Sequence, residues 1–75
     1  MMTIADLEKR LASLRASRAA HELSAVAFAR DVAAFDTHLA YDAREAYAMH
    51  TREAAELQHE IDRTVEQIES CKALS

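Results

Sequence analysis

The sequence of 75 residues contains no glycine, no proline and no tryptophan. Tight turns, hairpin loops, phosphate-binding loops and strand bulges usually depend on Gly or Pro for their backbone geometry. A chain without either residue is therefore expected to be all-α rather than β-rich or α/β. The sequence also lacks an apolar run approaching the roughly 18 residues that a membrane span needs. Its first residues do not show the basic start and apolar core of a signal peptide.

Cysteine is nearly absent as well. Cys71 is the only one, so no disulfide can form within the chain, which fits a reducing compartment. No base is identifiable beside this thiol, so we interpret it as a packed side chain rather than a nucleophile. Together these absences predict a cytoplasmic protein with no membrane segment.

The apolar content is large in number but small in volume. Hydrophobic residues make up 51% of the chain, yet seventeen of them are alanine, which favours helix and contributes little buried area. A chain this short buries a small share of its surface and is marginal alone. We expect a single domain over residues 1–75 that needs a partner, either a second copy or another protein.

The charge is acidic and unevenly placed. The formal net charge is −4, and all of it belongs to residues 39–75. The basic cluster of residues 9–18 does not make a net positive field, so we expect no nucleic-acid partner. An acidic second half also argues against a membrane-surface helix. The basic cluster is expected to face the acidic residues of the second half, which are Glu56, Glu60, Asp62, Glu66 and Glu69.

The first helix is predicted over residues 3–36. Thr3 is a plausible N-cap with Asp6 three residues later, an approximate capping box. Apolar residues then recur at the 3-4-3 spacing of a coiled-coil seam. The seam turns polar in its middle, where the helix could have a short break. Its members are Ile4, Leu7, Leu11, Leu14, Arg18, His21, Ala25, Phe28, Val32 and Phe35.

A turn is expected within residues 36–42, where Asp and Thr provide helix caps. The second helix then covers about 42–72, with a seam formed by Tyr47, Leu57, Ile61, Val65 and Ile68. The predicted fold is an antiparallel two-helix hairpin of coiled-coil type, in which facing residues have numbers that sum to about 79. This register sets Leu11 near Ile68, Arg18 near Ile61 and His21 near His59. The alternative is one unbroken helix that dimerises.

Catalytic chemistry finds little support in the sequence. There is no Gly-rich phosphate loop and no nucleophile with a base, and a two-helix object has little room for a pocket. We expect no enzyme activity, no catalytic residue, no cofactor and no small-molecule substrate. The four histidines do not form a closed metal site at metal-ligand spacing. The best constellation places His21 near His59 among glutamates, and a metal-binding helical bundle stays a minor alternative.

Two stretches carry a resemblance to a known family. Residues 2–11 read MTIADLEKRL, similar to a family start in which Met-Thr precedes a Leu-Glu-x-x-Leu core. Residues 47–61 read YAMHTREAAELQHEI, with Tyr, Arg-Glu, Leu and Ile at spacings similar to those of a second helix. The chain thus resembles the small helical-hairpin co-chaperones of the type III secretion needle protein. Members of that family commonly have Gly or Pro between their helices, which this chain lacks.

The resemblance implies a function in protein recognition. Such a co-chaperone joins a larger chaperone of tetratricopeptide-like helices and helps to keep the needle subunit unpolymerised in the cytoplasm. The residues expected to contact the partner are Leu7, Leu11, Leu14, Phe28, Tyr47, Leu57 and Ile61. The alternative is a self-associating coiled-coil protein with a structural or regulatory role, such as a small phage or bacterial inhibitor. The partner's identity, the stoichiometry and the division between core and interface stay open at this point.

Overall fold

The computed structural model describes residues 2–34 and 38–74, and the side chains of residues 2–30 and 41–74. Helix α1 covers Ile4–Ala34 and helix α2 covers His38–Leu74, with no strand in the described ranges. The molecule measures 57 × 16 × 14 Å. At about 1.5 Å per residue, α2 alone accounts for its length, so the two helices lie side by side. The predicted all-α helical hairpin is confirmed.

The helix ends differ in detail from the prediction. Helix α1 is continuous from Ile4 to Ala34, so the break considered at its polar middle is absent. Helix α2 begins at His38, ahead of the predicted start near residue 42. Residues 38–42, part of the predicted turn, are therefore helical. The remainder of that turn, residues 36 and 37, lies outside the described residues.

The start of α1 has the predicted cap. The Asp6 amide donates to Oγ1 of Thr3 at 3.2 Å, and the Thr3 amide donates to Oδ2 of Asp6 at 3.1 Å. The Leu7 amide donates to the Thr3 carbonyl at 3.0 Å, which begins the helical ladder. Reciprocal bonds of this kind satisfy amides that the first turn would otherwise leave without partners. Thr3 and Asp6 therefore form a capping box.

The hydrophobic core is a thin line between the helices. Its buried apolar members are Leu7, Ala25, Ala43, Ile61 and Ile68. Two of these are alanines, which allow close approach of the helices but bury little area. The described core therefore holds three large aliphatic side chains, which supports the expectation that the fold is marginal alone.

A buried threonine continues this line. Thr64 is the most buried polar residue among those described, and its Oγ1 donates to the Glu60 carbonyl one turn earlier at 2.8 Å. A hydroxyl bonded to its own helix satisfies its hydrogen-bonding capacity without a partner on the other helix. Thr64 can thus be buried between the helices without leaving its hydroxyl group unpaired.

Contacts between the helices fix their direction. Lys72 Nζ lies 3.9 Å from Glu8 Oε1, and the Arg18 guanidinium donates to Oε1 of Gln58. Glu8 near the start of α1 thus meets Lys72 near the end of α2, and Arg18 and Gln58 meet near the middle of both helices, so the packing is antiparallel. The prediction has bases on α1 facing acids on α2, whereas in the Glu8–Lys72 pair the acid is on α1 and the base is on α2. Helix α1 thus supplies the acid of this pair.

The predicted contact of His21 with His59 is wrong. His21 meets His50 instead, with 2.7 Å between the two Nδ1 atoms. His59 is exposed and lies nine residues further along α2, which is roughly 13 Å of helix. In the same way Arg18 reaches Gln58 rather than the level of Ile61.

Neither helix, over its described residues, is long and apolar enough to cross a membrane.

Candidate protein-binding surface

An open groove lies between the helices towards the end of α1 and the start of α2. Helix α1 contributes Ala25, Val26 and Ala29, and helix α2 contributes Tyr47, Thr51 and Ala54, with Glu22 and Arg30 at the rim. We call this surface the Val26 groove. The lining residues recur at intervals of three and four on each helix, so they form one continuous face. Its alanines leave a depression between the larger side chains of Val26 and Tyr47.

The larger apolar side chains of this groove face solvent. Val26 is 52% exposed and Tyr47 is 43% exposed. Leu23, which is 72% exposed, lies about 60° around α1 from Val26 and extends the apolar surface beyond the rim. Contiguous exposed apolar surface marks binding sites more often than singly scattered apolar residues do. Among the described residues, the Val26 groove is an apolar surface that folding of the hairpin leaves uncovered.

Two opposite charges flank Val26 on α1. Glu22 precedes it by four residues and Arg30 follows it by four residues. Arg18 Nε lies 3.5 Å from Glu22 Oε1, an ion pair one turn apart that is not aligned as a hydrogen bond. Arg30 makes no ion pair with any side chain that the structure describes. The rim therefore presents an acid at one end and a base at the other.

A ring cluster fastens the helices beside the groove. The Nδ1 atoms of His21 and His50 are 2.7 Å apart, so one of them carries the proton that the other accepts. The Phe28 ring stacks on His50 with a centroid distance of 5.6 Å and an interplanar angle of 13°. All three side chains are half-buried. Their contacts hold α1 and α2 together and do not depend on a partner.

The two histidines do not extend into a larger set of metal ligands. Within the described residues, no three His, Cys, Asp or Glu side chains are grouped so that they could hold a metal ion. The distance between the Nδ1 atoms is that of a short hydrogen bond. We therefore interpret His21 and His50 as a hydrogen-bonded pair across the hairpin.

The seven residues predicted to contact a partner fall into three groups. Tyr47 lines the Val26 groove. Leu7 and Ile61 are each only 3% exposed and belong to the hairpin core. The others are half-buried and are Leu11, Leu14, Phe28 and Leu57. The hairpin itself thus uses most of the predicted contact surface, and the partner role of these side chains stays a prediction.

Val26 and Leu23 were missed from the sequence because they lie off the seam. The seam of α1 passes through His21, Ala25 and Phe28, and one helix neighbour can cover only that stripe. Residues 19–29 nevertheless carry apolar side chains on other sides of the helix. A surface helix of a monomer normally has a polar outer face. An apolar excess outside the seam is the signal that could have located this surface.

Other exposed apolar residues of α2 lie outside the groove. Met49 is 40% exposed and lies about 160° around the helix from Tyr47. Tyr41 is also exposed, and its hydroxyl is hydrogen-bonded to the Glu45 carboxylate, which raises the pKa of the phenol above its usual value. The negative charge of Glu45 acts in the same direction. These side chains provide matched controls for changes in the groove.

No protein-family model matches this chain, and neither a curated protein nor a solved structure matches it.

Proposed function

We propose that this protein is an interaction module, acting as a small co-chaperone of type III secretion. In this role it stabilises a larger helical chaperone and helps to keep a needle subunit unpolymerised in the cytoplasm. The observation that carries the proposal is the Val26 groove, with Val26 and Tyr47 exposed beside a thin core. The proposal assigns no catalytic residue and no cofactor.

Physical chemistry favours a helical partner for this groove. An amphipathic helix binds a hydrophobic groove by placing apolar side chains at intervals of three and four into it. The Val26 groove offers a complementary face with the same repeat on both of its walls. Burial of apolar surface stabilises such a contact by about 25 cal/mol per Å². A chaperone built of tetratricopeptide-like helices supplies surfaces of this type.

The sequence resemblance supports the same partner. One of its two stretches, residues 47–61, begins at Tyr47, which lines the groove, and includes Thr51 and Ala54. The other, residues 2–11, contains the capping box of Thr3 and Asp6. The missing Gly and Pro do not prevent a hairpin, because the two helices pack against each other without them.

The proposal is tested by co-expression. The chain is produced together with the larger chaperone and the needle subunit encoded in the same genome, and the complex is isolated through a tag on the chaperone. Tyr47→Ala should reduce recovery of the hairpin, whereas Tyr41→Ala should not, because Tyr41 lies outside the groove. Failure of the unaltered chain to join the chaperone would contradict the proposal. A stable homodimer that ignores the chaperone would favour the self-associating structural or regulatory protein instead.

A further inference from the structure

We propose that a second copy of this chain covers the Val26 groove when the larger chaperone is absent. The two copies pack their α1 helices antiparallel about a two-fold axis that passes beside Val26. The inference rests on the proposed function only in assigning partner binding to the same groove. Self-association then competes with the chaperone for that surface.

The rim charges favour this arrangement. Glu22 and Arg30 each lie four residues from Val26, which is about 6 Å along the helix in opposite directions. In an antiparallel pair centred on Val26, Glu22 of one copy comes level with Arg30 of the other. Because a two-fold interface repeats every contact, this opposite-charge pair forms twice. A parallel pair would instead set Glu22 beside Glu22 and Arg30 beside Arg30.

Both charges are available for this contact. Glu22 is already paired with Arg18 of its own helix, but through Oε1 only, and its side chain is 59% exposed. A carboxylate accepts on both oxygens, so Oε2 can receive a second cation. Arg30 is exposed and has no ion-pair partner among the described side chains. Complementary charges at a rim specify orientation more than they add affinity.

The apolar surface suits a second copy. Val26 meets its own counterpart near the axis, while Tyr47 and Leu23 lie on either side of it. A stable interface buries about 800 Å² on each partner, and the hairpin has an accessible surface of 5569 Å². In an antiparallel pair centred on Val26 the two α1 helices overlap over residues 18–34, which is about 26 Å of helix, and the groove wall on α2 at Tyr47 adds to the area that they bury. Two hairpins joined in this way make a four-helix bundle.

Charge reversal tests the arrangement. Glu22→Arg leaves only cations at the rim, and Arg30→Glu leaves only acids, so each variant alone should dimerise at least tenfold more weakly than the unaltered chain. An equal mixture of the two variants should dimerise again, because each contact then joins a cation to an acid. Sedimentation equilibrium measures the association, and circular dichroism verifies that each variant is helical. Both changes are at exposed positions, so folding should be retained.

The outcomes separate this inference from the proposed function. An unaltered chain that stays monomeric at hundreds of micromolar would overturn the inference, as would single variants that dimerise normally or a mixture that does not recover. If the mixture recovers and the chaperone does not bind, the inference stands and the co-chaperone function fails. If the chaperone binds a chain that never dimerises, the co-chaperone function stands and the inference of a dimer fails.

Discussion

Replacement of Ile61 by alanine should remove much of the stability of the hairpin. Ile61 is 3% exposed and is one of three large aliphatic side chains in the described core. The change removes three carbon groups at about 0.8 kcal/mol each. The cavity left behind adds to this, so measured Ile→Ala costs in cores are about 2–5 kcal/mol. A narrow two-helix core can partly collapse, and we expect about 3 kcal/mol.

Such a loss is large for this chain. A stability of roughly 0.05–0.15 kcal/mol per residue predicts only about 4–11 kcal/mol in total for 75 residues. Urea denaturation followed by helical circular dichroism gives the free energy of unfolding, measured at a protein concentration low enough that the unaltered chain is monomeric, so that loss of the contact between two copies does not enter the comparison. Val26→Ala is the matched control, because Val26 is exposed and its truncation should change the free energy of unfolding by no more than about 0.5 kcal/mol. Equal effects of the two substitutions would refute the division into core and groove.

Three further changes have defined outcomes. Thr3→Ala removes the side-chain half of the capping box and should cost about 1 kcal/mol, and an unchanged melting temperature would contradict the cap. His50→Ala removes the contact with His21 and should cost about 1–3 kcal/mol by the same measurement; no loss would show that the pair is not formed. Glu45→Gln should lower the pKa of Tyr41 towards its usual value, visible in an ultraviolet titration of the phenol. Since the folded chain holds this pKa raised, stability due to Tyr41 is present below the ordinary tyrosine pKa and falls as the pH rises through the raised one; a shift in the other direction would contradict the Glu45 contact.

Local patterns in the sequence predicted much of the fold. The Thr3 and Asp6 cap was correct because it depends only on residues three positions apart. The seam residues Leu7, Ile61 and Ile68 are buried as the 3-4 spacing indicates. These features depend on helical periodicity, which the sequence displays directly.

The register, meaning which residues of the two helices face each other, was harder to predict from the sequence. It depends on where one helix ends and the next begins, and without Gly or Pro no residue marks those positions. Helix α2 starts four residues before the predicted position, at His38. His21 consequently meets His50 and not His59. The predicted pairing holds at the open end of the hairpin, where the numbers of Glu8 and Lys72 sum to 80, and fails towards the turn. The prediction assumed a turn centred near residue 39 or 40, whereas the helices end and begin at Ala34 and His38.

The candidate surface was predicted only in part. The sequence predicts Tyr47 as a contact residue, and Tyr47 lines the groove. The sequence does not indicate Val26, because the seam pattern identifies only the side chains that face the other helix of the same chain. The residues that face a partner are those that the seam does not use. Their recognition requires the hairpin to be assembled first.

We propose that the Val26 groove binds a larger chaperone. Calorimetric titration of the chaperone with Val26→Glu, with Met49→Glu as the matched control, measures how much of the affinity depends on this groove. Each variant adds the same charge at an exposed apolar position of a helix, and only Val26 lies in the groove. We predict that Val26→Glu weakens binding at least tenfold while Met49→Glu leaves the Kd within about twofold of the unaltered chain. Equal affinities for the two variants would contradict binding at the Val26 groove.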